Sequence, residues 1–266
     1  MLENRIDLNN MCLDEYEENT ANRDIYYKRA TGALPEMECS KALAQILANH
    51  VKSGQSILDV GCAVGHYYRS LKNQVKVEFK YTGVDPYPIL IDKAKEAWAD
   101  EKNVSFQLGN IFDLPFNDDS FDYIICNNVI LHLSDIVKPI GELMRVARKK
   151  AIIRHTLYDK SYRIQFVYND KWWLYTDVKP EDEFDSKGEP RAFSYFNIHS
   201  FDYFNGVIHK HSPSAKINYI KDDKFSAEKI NSSAKKENFI EPTQVIDNMQ
   251  VSGCLILPHY FVEINL

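Results

Sequence analysis

The chain has 266 residues, 44% of them hydrophobic, enough for one large domain, or one domain with insertions, around a full apolar core. With 38 acidic and 32 basic residues its formal charge is −6, which argues against a nucleic-acid partner, since phosphate binding needs a basic face. No apolar run reaches membrane-span length, Met1-Leu2-Glu3-Asn4-Arg5-Ile6-Asp7 is too polar for a signal peptide, and the five cysteines are scattered without metal spacing; a reduced, cytoplasmic protein with no membrane partner and no metal is expected.

Residues 1–40 are polar and aromatic without a clear period, although Glu15 to Lys28 is compatible with a helix. Leu43, Ala44, Ile46, Leu47 and Val51 fall near helical spacing and predict a helix from Ser40 to Val51. Ser56–Val60 reads as a first strand, Gly65 to Lys72 as a helix and Val75 to Val84 as a second strand. Pro86 and Pro88 suit the first turn of a helix reaching about Ala99. Val104 to Leu108 and Phe121 to Cys126 are predicted strands, Ile136 to Ala147 a helix, and Ala151 to His155 a fifth strand. Strands alternating with helices at this spacing predict an α/β, doubly wound, Rossmann-like parallel sheet with helices on both faces. Residues 157–198 are crowded with aromatics and too long for a connection, so they read as an insertion over the sheet edge. A helix from Phe201 to Ile208, a strand from Ala215 to Ile220, a charged Asn/Ser-rich insertion near 222–250 and a final strand from Leu255 to Ile264 complete the chain. The expected division is a helical cap over 1–40, a core over 41–156, a substrate cap over 157–198, and the end of the core sheet over 199–266.

Two acids point to a cofactor. Asp59 lies near the end of the first strand, two residues before Gly61 and six before Gly65, and Asp85 ends the second strand. Ligands of such sheets bind at the carboxyl ends of the strands. Asp59 would place negative charge beside the ligand, which is unfavourable next to a pyrophosphate and favourable next to a cation. No P-loop lysine follows the glycines. Asp85 can accept both hydroxyls of a ribose. A cofactor with a ribose, an adenine, a positive centre and no phosphate suits both acids, and S-adenosyl-L-methionine has those parts. A tight turn with capping acids is the plainer alternative.

Four blocks then resemble class I S-adenosylmethionine-dependent methyltransferases of the broad small-molecule group: Ile57-Leu58-Asp59-Val60-Gly61-Cys62-Ala63-Val64-Gly65; Gly83-Val84-Asp85; Gln107-Leu108-Gly109-Asn110-Ile111-Phe112-Asp113-Leu114-Pro115-Phe116; and Ser120-Phe121-Asp122-Tyr123-Ile124-Ile125-Cys126-Asn127 continuing to Leu131-His132-Leu133. The resemblance implies a seven-stranded sheet whose last strand, containing Phe261-Val262-Glu263-Ile264, runs antiparallel. It implies that Asp59, Gly61, Cys62, Ala63 and Gly65 face the methionine portion, Asp85 and Pro86 the ribose, and Asn110, Ile111 and Asp113 the adenine. Cys126 and Asn127 would form the wall between cofactor and acceptor. The family's usual glycine is replaced by Ala63, its commoner acid by Asn110, and its proline-glycine turn before the fifth strand by Arg148-Lys149-Lys150.

An oxygen or nitrogen acceptor must lose a proton, and His132 and His155, at strand ends, are the candidate bases; either is equally compatible with a histidine bonded to nearby backbone. His66 is a weaker candidate. Tyr27 and Arg29 could close the methionine end, Arg29 pairing with its carboxylate, or simply belong to a helix surface. Trp172, Trp173 and Tyr175 could stack on an acceptor or form the insertion's own core. The functional expectation is methyl transfer to an oxygen or nitrogen of a small molecule, a sugar or natural-product intermediate among them, by a monomer or homodimer. A non-catalytic cofactor-binding partner subunit is the alternative.

Overall fold

Successive side chains of a strand point to opposite faces of its sheet, so a strand buried on both faces needs an unbroken apolar run. Ile57-Leu58, Ile124-Ile125 and Ile152-Ile153 are such runs, and in each the two neighbours enter different core clusters. A computed structural model describes residues 20–166, 186, 188, 194–223, 244–246, 249–252 and 255–266. In chain order the first elements are α1 (Thr20–Thr31), α2 (Glu38–Ala48), β1 (Ser56–Val60), α3 (His66–Gln74), β2 (Lys80–Asp85), α4 (Pro88–Ala97), β3 (Val104–Leu108) and β4 (Phe121–Asn127). Then come α5 (Val137–Val146), β5 (Ala147–Tyr158), β6 (Gln165–Phe166), β7 (Ser194–Tyr195), β8 (His199–Ser200) and α6 (Phe201–His211). The last are β9 (Lys216–Lys221), β10 (Gln244–Ile246), β11 (Met249–Ser252), β12 (Leu255–Leu257) and β13 (His259–Asn265).

The main sheet has the order β3-β2-β1-β4-β5-β13-β9, with β8 added beside the end of β5. The first five strands are parallel, and β13 runs antiparallel to both β5 and β9. This is the doubly wound sheet with an antiparallel strand that the sequence predicts. One face carries Leu43, Leu47, Leu71, Tyr81 and Ile91; the other carries Ile140, Leu143, Phe204 and Val262, all at most 1% exposed. Full burial of each such side chain is worth roughly 1.5–3 kcal/mol. Local signals agree with the helix starts. Pro88 opens α4, and the Ser200 hydroxyl caps α6 by accepting from the Tyr203 N–H at 3.2 Å.

Three boundaries differ most from the sequence reading. β2 begins at Lys80, not Val75, because α3 continues to Gln74 and Val75 packs into the core as its C-cap. β5 begins at Ala147, directly after α5, so Arg148-Lys149-Lys150 belongs to the strand and not to a turn. Lys150 tolerates burial there because its Nζ donates to Glu263 on β13 at 2.7 Å. The predicted final strand is two strands: β12 pairs with β11 in a separate three-stranded sheet, and β13 joins the main one. No helix among the described residues is long and apolar enough to cross a membrane, and no group of three or more potential metal ligands occurs among them.

Candidate active site

The carboxyl ends of β1, β2 and β4, with the loops that follow β3 and β4, surround a cavity of about 220 Å³ that α1 and Met37 flank. Asp59 shares the face of Ile57 on β1, 1% exposed, and its Oδ2 accepts from the Tyr81 hydroxyl at 2.6 Å. The chain then turns sharply, with the N–H groups of Gly61 and Cys62 both donating to the Val84 carbonyl at 2.8 and 3.0 Å. Gly61 has φ +76°, and a Cβ there would stand 2.3 Å from Cγ2 of Val129. Valine is stiff about χ1, so the neighbour cannot easily yield. Gly61→Ala is therefore expected to cost about 1–3 kcal/mol of stability; an unchanged thermal midpoint would contradict the packing. Ala63 keeps the left-handed backbone, φ +47°, that a glycine would take more cheaply.

Asp85 ties this turn to β2. Its Oδ2 accepts from the Ala63 N–H at 2.8 Å and its Oδ1 from the Tyr87 N–H at 3.2 Å. Burial pushes the Asp59 carboxyl up to about 7 against the bond from Tyr81, with the charge of Asp85 adding to the rise. Burial likewise raises Asp85 to about 6, opposed by its two backbone N–H bonds. Both folded values exceed the unfolded one of 3.8. The stability these groups contribute is therefore full below that value and lost as pH rises through 6 and 7. A positive charge bound beside these carboxylates would favour their ionised forms.

After β3, Asn110 folds its side chain back so that Oδ1 accepts from the Phe112 N–H at 2.9 Å, leaving Ile111 and Phe112 against the cavity. At the end of β4, Asn127 also lines the cavity, and both its amide nitrogen and its oxygen are buried with no partner among the described residues. Two such orphan atoms cost several kcal/mol unless a ligand engages them. The short helical turn Ile130–His132 follows. Nδ1 of His132 lies 2.8 Å from the Tyr195 carbonyl, which can only accept, so Nδ1 carries the hydrogen and Nε2 the lone pair. Burial lowers His132 to about 4, against that carbonyl bond.

Of the residues expected from sequence, Asp59, Gly61, Ala63, Asp85, Pro86, Asn110, Ile111, Asn127 and His132 line the cavity. Others lie elsewhere. Tyr27 turns to α4, its hydroxyl donating to Glu96 at 2.8 Å, and Tyr26 takes its place, stacked on His66 at 4.7 Å. Arg29 is not a lining residue, although its charge joins burial in holding His66 down at about 3. Cys62 and Cys126 are buried in the core, Gly65 caps α3, and Asp113 is exposed outside the cavity. His155 is also outside it. It is fully buried, with Nε2 2.7 Å from Nδ1 of His199 and its ring stacked on Phe204. Trp172, Trp173 and Tyr175 lie outside the described residues. Sequence reading missed Met37, Tyr67, Tyr87, Asn128 and Val129.

The donor set fits a cationic nucleoside: two buried carboxylates at adjacent strand ends, a glycine turn between them, and an orphan amide beyond. A family model described as "Methyltransferase domain" matches residues 51–185, just over half of the chain. An uncharacterized methyltransferase of Schizosaccharomyces pombe is 38% identical over 110 residues, covering 38% of this chain and 39% of that protein. Ajmaline N-methyltransferase of Rauvolfia serpentina is 32% identical over 103 residues, 38% of this chain and 35% of that one. The match thus spans about two fifths of the length of these relatives. Among solved structures, a candidate sarcosine dimethylglycine methyltransferase from Galdieria sulphuraria superposes with TM-score 0.52 and 13% identity, covering 86% of this chain and 84% of that one. A SAM-dependent methyltransferase from Methanosarcina mazei does so with TM-score 0.50 and 15% identity, covering 83% and 97%. The chain belongs to the class I S-adenosylmethionine-dependent methyltransferases.

Proposed function

We propose that this protein moves a methyl group from S-adenosylmethionine to an oxygen or nitrogen atom of a small-molecule metabolite, and that His132 takes the acceptor's proton. The observation that carries the reading is one cavity lined by two strand-end carboxylates, Asp59 and Asp85, and by a histidine whose tautomer a backbone carbonyl fixes. When bound, the cofactor supplies an electrophilic methyl group on a positively charged sulfur. The chain's own task is to bind, align and deprotonate. In this reading Asp85 accepts the ribose hydroxyls, Asn110, Ile111 and Phe112 flank the adenine, and Asp59, Gly61 and Ala63 receive the methionine end. Nε2 of His132 accepts the proton of the acceptor's hydroxyl or ammonium. Two relatives, named for ajmaline and for demethylmenaquinone, support a small-molecule acceptor.

Because burial raises Asp59 and Asp85 to about 7 and 6, a cation bound beside them favours their ionised forms. Affinity for S-adenosylmethionine is expected to rise as pH increases through 6 and 7. S-adenosylhomocysteine, without the sulfonium charge, should rise less. Calorimetry in buffers of different ionisation enthalpy measures the released protons, and zero release would contradict the electrostatic role.

Incubation with methyl-labelled S-adenosylmethionine and a fractionated metabolite extract is expected to yield a labelled low-mass product. Failure to bind S-adenosylhomocysteine overturns the cofactor assignment. Binding without product from any fraction overturns transfer and leaves a cofactor-binding partner subunit.

A further inference from the structure

The loop after β3 forms one wall of the cavity through Gly109, Asn110, Ile111 and Phe112. At its start the Gly109 N–H donates to the Asp85 carbonyl at 3.2 Å, which ties it to β2. Within the loop the order is local. Asn110 accepts from the Phe112 N–H through Oδ1 and from the Asp113 N–H through its carbonyl, both at 2.9 Å. Such bonds fix the shape of a loop, not its position against the sheet.

The far end is held by two side chains of α5, Glu142 and Arg145, three residues apart and so on one face. Oε2 of Glu142 accepts from the Leu114 N–H at 2.8 Å, and Nη2 of Arg145 donates to the Leu114 carbonyl at 3.1 Å. The pair engages both backbone groups of one residue, as a neighbouring strand would. Nη1 of Arg145 also donates to the Phe116 carbonyl at 2.7 Å and to Asp118 at 2.9 Å. Nε and Nη2 fork onto the Glu142 carboxylate at 2.8 and 2.7 Å. All five N–H donors of the guanidinium are thereby used. Arg145 in turn holds the Glu142 carboxyl below its ordinary range, against the effect of burial. Leu114 and Ile111 are buried beneath the loop, but apolar packing is non-directional, so the charged clamp is what sets its register.

We propose that Glu142 and Arg145, neither of which lines the cavity, are positioning residues for the cofactor. They hold residues 109–112 where the nucleobase is recognised, and so set the preference for adenine over another purine. This rests on the placement of adenine against Asn110, Ile111 and Phe112 in the reading above. Telling an amino group from a carbonyl requires polar groups at fixed places, because donor must meet acceptor. A misplacement of about 1 Å caused far from the ligand can cost about a hundredfold.

The test is calorimetric titration of the full chain with S-adenosylhomocysteine and with its inosine counterpart, in which a carbonyl replaces the adenine amino group. Native protein is expected to bind the adenine form about tenfold or more tightly. Glu142→Ala frees the Leu114 N–H, and Arg145→Lys leaves three donors where the guanidinium supplied five. Each variant is expected to weaken S-adenosylhomocysteine about tenfold and to bring the two forms within about threefold of each other. A role confined to stability would lower the melting midpoint and leave that ratio intact. If Glu142→Ala does not fold, Arg145→Lys, at the more exposed of the two side chains, carries the test. A ratio unchanged in the folded variants overturns the proposal. Equal binding of both forms by native protein overturns it as well, by removing adenine from this wall. A native chain that binds neither form overturns the cofactor assignment itself, and the proposal with it.

Discussion

Replacing Asp85 by alanine is expected to abolish measurable cofactor binding. The carboxylate already accepts two backbone N–H groups, from Ala63 and Tyr87. Two oxygens offer about four acceptor sites, so two remain for a pair of vicinal hydroxyls. Hydrogen bonds to a charged group contribute about 1.5–3 kcal/mol each, so losing both weakens binding roughly a hundredfold or more. The variant also frees the Ala63 N–H, so the turn that faces the cofactor loses its tie to β2. Calorimetry with S-adenosylhomocysteine measures the effect, and a melting curve checks that the chain still folds. The free variant is expected to lose stability as well, because the buried Ala63 and Tyr87 N–H groups lose their acceptor at about 1–3 kcal/mol each. An affinity within about threefold of native, less than the contribution of one such bond, would remove Asp85 from the site.

His132→Gln is expected to lower kcat by about a hundredfold while leaving the affinity for S-adenosylhomocysteine unchanged, because a positioned base contributes about 10²–10⁴. The pH profile is a sharper check. Burial holds the imidazole down at about 4, so it is already neutral across the physiological range. No acid limb belonging to this histidine should appear above about pH 5 in the kcat profile, in contrast to an exposed histidine with a limb near 6.5. A limb near that value that vanishes in His132→Gln would show that the base works in a more open environment than the folded cavity. An unchanged kcat in the variant would assign proton removal to another group.

The strands were legible where burial alone writes the sequence. β1 and β4 are short apolar runs, and β1 and β2 place acids at or next to their carboxyl ends, so composition and position coincide. The turn at Gly61 and the place of Asp85 in the cavity wall followed from the same logic. Readings failed where a long-range partner decides. Arg148-Lys149-Lys150 resembles a turn until Glu263, 113 residues beyond Lys150, turns out to neutralise a strand interior. Tyr27 and Asp113 carry the right chemistry and point the wrong way, because helical phase and a local Asn110 turn set their directions. His155 has a favourable place at the end of β5, yet packing against His199 and Phe204 consumes it. Asn128 gave no sign in sequence, since its side-chain partner, Arg154 on β5, and that arginine's partner Asp222 come from distant parts of the chain.

The placement of β13 between β5 and β9 carries a kinetic consequence. Its pairing with β5 joins Thr156 to His259 and Lys150 to Asn265, so the centre of the sheet cannot close until segments about a hundred residues apart have met. Loop closure of that length slows folding, and until it occurs the Ile152-Ile153 run of β5 is an open, sticky edge. A slip of one residue would turn Glu263 to the opposite face and strand Lys150 among apolar side chains. The buried Lys150–Glu263 pair thus favours the native register, because a shifted strand leaves each charge without the other.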